Sequence, residues 1–357
     1  VEFRDEAPAA GRVEAYLDGL RPNARIVPGL LSNPMARTNW RSVAHARLMR
    51  LLPDVTAGLE TPSCDSLGAA LNYLLFERGA NVMIVNGGDG TIHHTLNAAV
   101  RVTARAAAVV GRPIPLPRFL FVRGGGMNML AGVFQSRGHP VRTVRRFLDA
   151  ARGTTLGGLP TREVPLLSVR EPDGAERLGY IFGSELVYNA LTMYERFGQG
   201  YRGLSRFLWE VARGYAFRTE LWYRYGHLLD APETPLVVDD TVYPRYTSVV
   251  ATTVPLQLAK GAVGTIRRMA SPGQMNVVCV LPTDKEEVIR SIPRLMLGAP
   301  GPGLVYREDA RAIALYGSYT LDGERVTLPG PGARDAPSPA ALRVTGSAHS
   351  VRGVWLP

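Results

Sequence analysis

The residues with the clearest chemical potential lie in the run Asn81-Val82-Met83-Ile84-Val85-Asn86-Gly87-Gly88-Asp89-Gly90-Thr91. An apolar segment ends there in a glycine-rich turn holding one carboxylate, and a helical pattern begins at Thr91. A strand, a short loop and a helix N-terminus in succession present outward-pointing backbone N–H groups, which favour anions such as phosphate. The glycines permit close approach of a ligand and a positive φ. Gly-Gly and Asp-Gly also signal hairpin turns, but Ile92, Leu96, Ala99 and Val100 recur at helical spacing, which disfavours a second strand.

Other phosphate chemistries fit this stretch less well. A dinucleotide loop wants a third glycine and an acid about twenty residues further on. Here Gly88-Asp89-Gly90 is followed by Thr91-Ile92-His93, and no Asp or Glu occurs from Gly90 to Leu148. A Walker A loop needs Gly-Lys-Ser/Thr, which neither Lys260 nor Lys285 supplies. Protein-kinase signatures are absent. His93 and His94 are adjacent, so on a helix they point in different directions, which argues against a shared metal.

The elements that must position the turn can be read around it. Val13, Tyr16, Leu17 and Leu20 suggest a short first helix, and Arg25–Leu31 a first strand before the turn Ser32-Asn33-Pro34. Helices are expected over Asn39–Leu51, with Asn39 as cap, and over Ser63–Arg78, stopping at Gly79. A short strand is placed near Val55–Leu59. After the Val82–Val85 strand and the Thr91–Val110 helix, Arg118–Val122 forms another strand. A second glycine turn, Gly124-Gly125-Gly126, and a helix from Met127 follow it. Repeated strand–turn–helix units imply a parallel sheet with helices on its faces and ligands at its carboxyl edge, where the two glycine turns would line one crevice.

Beyond about residue 155 the texture changes. Helical patterns remain at Leu204–Ala216 and Lys285–Leu297. Short alternating runs dominate: Arg162–Arg170, Leu178–Phe182, Thr219–Tyr225, Tyr246–Thr253, Asn276–Leu281, Ala312–Tyr316 and Arg325–Leu328. Turn residues separate them, which reads as an antiparallel β-sandwich. A Pro/Gly-rich loop spans Gly330–Pro339, and final strands are expected near Leu342–Val344 and Val351–Leu356. The 357 residues therefore divide into an N-terminal Rossmann-like α/β domain, 1–155, and a β-rich domain, 156–344.

Composition bounds the function. Hydrophobic residues make up 46% of the chain, enough for substantial cores. Net charge is +10, and all but two of the 41 basic residues are arginine. The charge favours anionic partners such as nucleotides, nucleic acid or an acidic lipid surface, and nine arginines fall within the acid-free stretch from Gly90 to Leu148, whose plain reading is a solvated basic face. Cys64 and Cys279 lie far apart and match no metal spacing, which suits buried thiols in a reducing compartment. No apolar run reaches the length of a membrane span, and no signal peptide is visible in a sequence that opens at Val1.

With these residues in place, the sequence resembles the diacylglycerol kinase catalytic-domain superfamily, which includes bacterial lipid kinases, sphingosine kinases and ceramide kinases. Gly87-Gly88-Asp89-Gly90-Thr91 followed by Asn97 is similar to its nucleotide signature, a loop shared in related form with NAD kinases and phosphofructokinases. Ser32-Asn33-Pro34 matches its early Asn-Pro, and Gly124-Gly125-Gly126-Met127-Asn128-Met129-Leu130-Ala131 resembles its second loop. Leu321-Asp322-Gly323-Glu324 resembles its late Asp-Gly-Glu motif. Order and spacing agree across nearly the whole chain. Departures occur at Met35-Ala36-Arg37, where glycines are usual, at His94, where an acid is common, and at Gly126 and Met129, which replace a threonine and an aspartate.

The resemblance implies a nucleotide domain, a lipid domain and a terminal segment, 345–357, returning to the first. It implies an ATP- and magnesium-dependent transfer of the γ-phosphate to a lipid hydroxyl of diacylglycerol, ceramide or a sphingoid base. Gly87, Gly88, Gly90 and Thr91 would cradle phosphates, with Asn33, Gly125, Gly126 and Asn128 lining the nucleotide. Asp89 is the first candidate for the base, Asp322 the second, and Glu324 a supporting group; magnesium ligands are not assigned. By spacing alone, Asp322-Gly323 reads as a type I′ hairpin turn. The two acidic segments are expected to meet across one cleft. Glu185 is carried over as a head-group acid, against the plain reading of a surface carboxylate. The stripe containing Phe207 and Trp209 either packs on the core or touches a bilayer. The implied protein is cytoplasmic, peripheral on an anionic membrane, without nucleic acid as partner, and compatible with a homodimer. Competing readings are a kinase of soluble substrates resembling NAD kinases, or a nucleotide- or lipid-binding regulator without catalysis.

Overall fold

The computed structural model describes residues 6–36, 39–40, 43–51, 66–125, 128–134, 136, 138–194, 200–225, 234–256, 266–281, 303–328 and 341–356. The expected strand at 55–59, the helix at 285–297, the loop at 330–339, Cys64 and Gly126 lie outside these residues. The chain divides into two compact units, residues 1–163 with 351–357, and residues 164–350.

The first unit opens with α1 (Ala10–Gly19), β1 (Pro28–Ser32), α2 (Val43–Leu51) and α3 (Ser66–Asn72), which runs into a π-helical turn at Tyr73–Glu77. Then come β2 (Val82–Gly87), α4 (Asp89–Val110), β3 (Arg118–Arg123), α5 (Met129–Val133) and α6 (Pro140–Ala151). Strands β1, β2 and β3 lie side by side and parallel, with β2 in the middle. All six β2 residues are buried, because helices cover both faces, and this explains its unbroken apolar run. On one face Leu30, Val82, Ile84, Leu120 and Val122 pack with Leu48 of α2 and Val144 and Phe147 of α6. On the other, Phe119 and Phe121 stack at 5.5 Å, and Phe134 tilts against Phe121 at 4.9 Å.

Strand β4 (Thr161–Arg170) leads into the second unit, which continues with β5 (Glu176–Gly179), β6 (Ile181–Glu185), α7 (Leu186–Tyr194), α8 (Gly200–Phe217) and α9 (Glu220–Tyr225). Strands β7 (Leu236–Val238), β8 (Thr241–Tyr243), β9 (Ser248–Thr252), β10 (Met275–Val280) and β11 (Leu304–Ala310) follow. The chain closes with β12 (Ala312–Leu315), β13 (Tyr319–Leu321), β14 (Glu324–Val326) and β15 (Leu342–Val354). One antiparallel sheet has the order β11-β10-β9-β6-β13-β14. A single core joins Phe182, Val249, Val277, Cys279 and Leu321 of that sheet to Leu167, Val238, Ile313, Leu315 and Val344 of the other. Two sheets sharing one core make a sandwich, so the architecture is α/β followed by all-β.

Three local expectations change. The alternating run at Thr219–Tyr225 is not a strand: Glu220–Tyr225 is helical, with Trp222 edge-on to Tyr215 at 5.8 Å. Helix α7 starts directly at the end of β6, with no turn residue to announce it. The two final strands are one, since Leu342–Val354 is continuous. The Asn39 amide donates to the Asn33 carbonyl at 2.8 Å and reaches the Asn86 carbonyl at 3.5 Å; residues 41–42, on which its expected capping role depends, lie outside the described residues.

Candidate functional site

The carboxyl ends of β2 and β3 each deliver a glycine turn, and the two turns pack backbone on backbone. The Gly124 N–H donates to the Gly87 carbonyl at 2.9 Å. A Cβ built on Gly124 would lie 2.8 Å from the Gly87 Cα, and one on Gly88 3.3 Å from the Gly125 Cα. A Cβ on Gly125 would overlap the Gly88 Cα outright, and one on Gly87 would overlap the Thr91 side chain. None of Gly87, Gly88, Gly90, Gly124 or Gly125 has a positive φ. Gly87, Gly88, Gly124 and Gly125 are therefore required by the closeness of the two turns and of Thr91, not by left-handed backbone. That corrects the expectation of positive φ at the first turn.

Helix α4 starts at Asp89, two residues before the sequence pattern indicated, and its N-cap Gly88 is extended with no side-chain cap. The first-turn N–H groups are thus left without a capping oxygen from Gly88, a ready anion site. The Asn33 amide donates to the Thr91 hydroxyl oxygen at 3.0 Å, joining the turn after β1 to the first turn of α4. Thr91 accepts there, and its own O–H proton is available to donate. Asn128 sits in the left-handed region at φ 54 and closes a reciprocal pair with Gly125: the Gly125 N–H donates to its Oδ1, and its Nδ2 donates to the Gly125 carbonyl, both at 2.8 Å.

Asp89 does something that sequence reasoning missed. Its Oδ1 accepts from the Leu130 N–H at 2.9 Å and its Oδ2 from the Met129 N–H at 3.2 Å. One carboxylate at the start of α4 thereby caps α5, across forty residues of chain, and locks the two turns together. A polar layer beneath was also missed. Asn86 donates to the Ser32 hydroxyl at 2.9 Å, Ser32 pairs with His45 Nδ1 at 2.9 Å, and the buried Asn86 Oδ1 has no partner among the described residues. The available signal was Asn86 itself, a residue depleted in strands, ending an apolar run.

The structure thus brings together Asn33, Gly87, Gly88, Asp89, Gly90, Thr91, Gly125 and Asn128 in the first unit. Asp322, Glu324 and Glu185 belong to the second. Asp322 and Gly323 have φ of 56° and 91° between the paired residues Leu321 and Glu324, the two-residue type I′ hairpin that the spacing indicates. The Asp322 Oδ1 accepts from the Tyr180 and Ile181 N–H groups, each at 2.9 Å, so this carboxylate pins its hairpin to the start of β6. Glu185 ends β6 with φ 55 and is not a plain surface carboxylate: burial pushes it up to about 7. A Cβ on Gly317 would lie 2.9 Å from its Oε1. Cys279 is buried, which raises its thiol to about 12 and makes it inert.

Among the described residues no three His, Cys, Asp or Glu side chains converge on a metal position. A magnesium ion carried by nucleotide phosphates keeps several waters and needs only one or two carboxylates, so the glycine turns fit a metal–nucleotide better than a free ion. No described helix is long and apolar enough to cross a membrane.

The fold is that of proteins named as diacylglycerol kinases. Two solved structures from Bacillus anthracis str. Sterne, carrying that name provisionally, align with TM-scores of 0.59 over 92% of this chain and 97% of theirs, at 14% identity. A third from the same organism, named a diacylglycerol kinase, aligns at 0.54 over the same shares and 12% identity. The resemblance read in the motifs therefore extends to the fold of nearly the whole chain. No family model and no curated protein matches the sequence.

Proposed function

We propose that the protein is a lipid kinase, transferring the γ-phosphate of ATP to a hydroxyl of diacylglycerol, ceramide or a sphingoid base. The observation that carries this reading is the pair of glycine turns packed beside the first turn of α4, which has no side-chain cap, at the ends of neighbouring parallel strands. Phosphoryl transfer asks a protein mainly for positioning and charge stabilisation. The α4 N–H groups and the Thr91 hydroxyl receive phosphate oxygens, while Asn33 and Asn128 hold the turns in shape. Magnesium brought with ATP would supply charge neutralisation at the phosphates, with Glu324 kept as a supporting group on the phosphate or metal side. A carboxylate orients the lipid hydroxyl and takes its proton, with Asp89 the first candidate and Asp322 the second. Glu185 is assigned to the lipid head group, which its buried, protonatable carboxyl suits as a hydrogen-bond donor. The names of the proteins sharing the fold support a lipid acceptor over a soluble one.

A second reading is favoured by one observation. The Asp89 and Asp322 carboxylates are each already held by two backbone amides, as structural groups would be. Such a chain would bind nucleotide or lipid without turnover. Incubation with labelled ATP, magnesium and a panel of diacylglycerol, ceramide, sphingosine and NAD separates the cases. Transfer to a lipid that is lost in Asp89→Asn supports the kinase. ATP binding with no transfer to any acceptor establishes the regulator, and transfer to NAD alone overturns the lipid assignment.

A further inference from the structure

We propose that a pocket between α2 and α6 is a second anion site, suited to a phosphomonoester. The cavity measures about 400 Å³ and shares no residue with the glycine turns. Arg47 of α2 faces Arg142, Arg145 and Arg146 of α6 across it, with His139 at the rim. The three α6 arginines fall at i, i+3 and i+4, one face of a helix, while Val144 and Phe147 turn into the core and the buried Val141 forms part of the pocket wall. The helix is thus fixed by its apolar side, and its guanidiniums line the pocket on the other.

Charge and shape select the ligand class. Four guanidiniums line the pocket against one carboxylate, Asp149, which is itself 3.3 Å from Arg152. Exposed like charges at this spacing repel, so an anion placed among them relieves repulsion as well as forming new bonds. A phosphomonoester brings nearly two negative charges and three strong acceptor oxygens to planar, forked donors. The volume exceeds that of a bare phosphate ion and leaves room for a small organic group behind the phosphate. Two sources share this chemistry: a soluble phosphorylated metabolite, and the phosphorylated head group of a lipid at a bilayer surface. The inference stands on the pocket alone and does not depend on the kinase reading.

The test uses the full chain without ATP, so it reads the same whether or not the glycine turns take nucleotide. Glycerol 3-phosphate is titrated calorimetrically, and sedimentation measures adsorption to phosphatidylcholine vesicles with and without phosphatidic acid. The double variant Arg142→Gln/Arg145→Gln should weaken binding by at least ~10-fold, with an unchanged circular dichroism spectrum because both side chains are exposed. Asp149→Asn should tighten it roughly 2-fold, a gain that misfolding would not produce. Binding of the soluble probe assigns a metabolite; binding only of phosphatidic acid vesicles assigns a head group. Absence of binding to both probes, or equal affinity in the double variant, overturns the site.

Discussion

Glu185 shows how much a single side chain can be set by its surroundings. Burial lifts its carboxyl from the ordinary 4.5 to about 7, and its backbone stands at φ 55. Between those two pH values the unfolded chain has released this proton and the folded chain still holds it. Stability therefore falls as pH rises through that window, and levels off above it. Glu185→Gln cannot ionise, so its unfolding free energy should lose this pH-dependent fall while wild type shows it; urea denaturation at pH 5 and pH 8 compares them. Asp322 allows a different separation. Asp322→Ala leaves the Tyr180 and Ile181 amides unpaired and should cost about 2–4 kcal/mol. Asp322→Asn keeps an acceptor and suits the left-handed turn position, so it should stay close to wild-type stability. Loss of turnover in the stable Asn variant would mark a chemical role beyond the structural one.

The glycine turns are elements whose sequence must be read in pairs. Gly88, Gly124 and Gly125 answer to a partner turn some forty residues away and Gly87 to Thr91, so the penalties for adding a methyl group should be graded. Gly88→Ala meets the opposite backbone at 3.3 Å and should be mild, below about 1 kcal/mol. Gly125→Ala overlaps the Gly88 Cα and should cost about 2–3 kcal/mol, separating the turns. Equal effects in urea titrations would show that the turns part freely. Much at this scale was legible beforehand: the β2–turn–α4 junction, the second turn, and the Asp322-Gly323 hairpin all announce themselves in local residue types. What was not legible depends on distant partners. Nothing near Asp89 says that it caps α5, and nothing near Asn39 says that its amide donates to the Asn33 carbonyl. The Thr219–Tyr225 run alternates like a strand, but it is short, and the packing of Trp222 on Tyr215 decides for helix.

At the scale of the molecule, a net charge of +10 favours anionic surfaces, and the expectation of an anionic membrane partner is tested most directly at α8. Phe207 is buried at 8% exposure, whereas Trp209 and Phe217 stand 68% and 78% exposed, with Arg206 and Arg213 exposed on the same helix. The stripe is thus divided: one side packs on the protein and the other presents aromatic and cationic groups suited to a membrane interface. Trp209→Ala should weaken adsorption to anionic vesicles without changing the melting temperature, while Phe207→Ala should cost about 3–5 kcal/mol of stability. Added salt should weaken adsorption in both wild type and Trp209→Ala. The long strand β15 carries a consequence of another kind. Leu342–Thr345 pair with β12 in the second unit, whereas Gly353 pairs with Phe119 of β3 and leaves room for the Phe134 ring in the first. During synthesis, neither unit can complete its sheet until Leu342–Val354 has left the ribosome. A nascent chain therefore waits with two open sheet edges at once, and a stop codon just before Leu342 would leave two unfinished units, not one finished and one damaged.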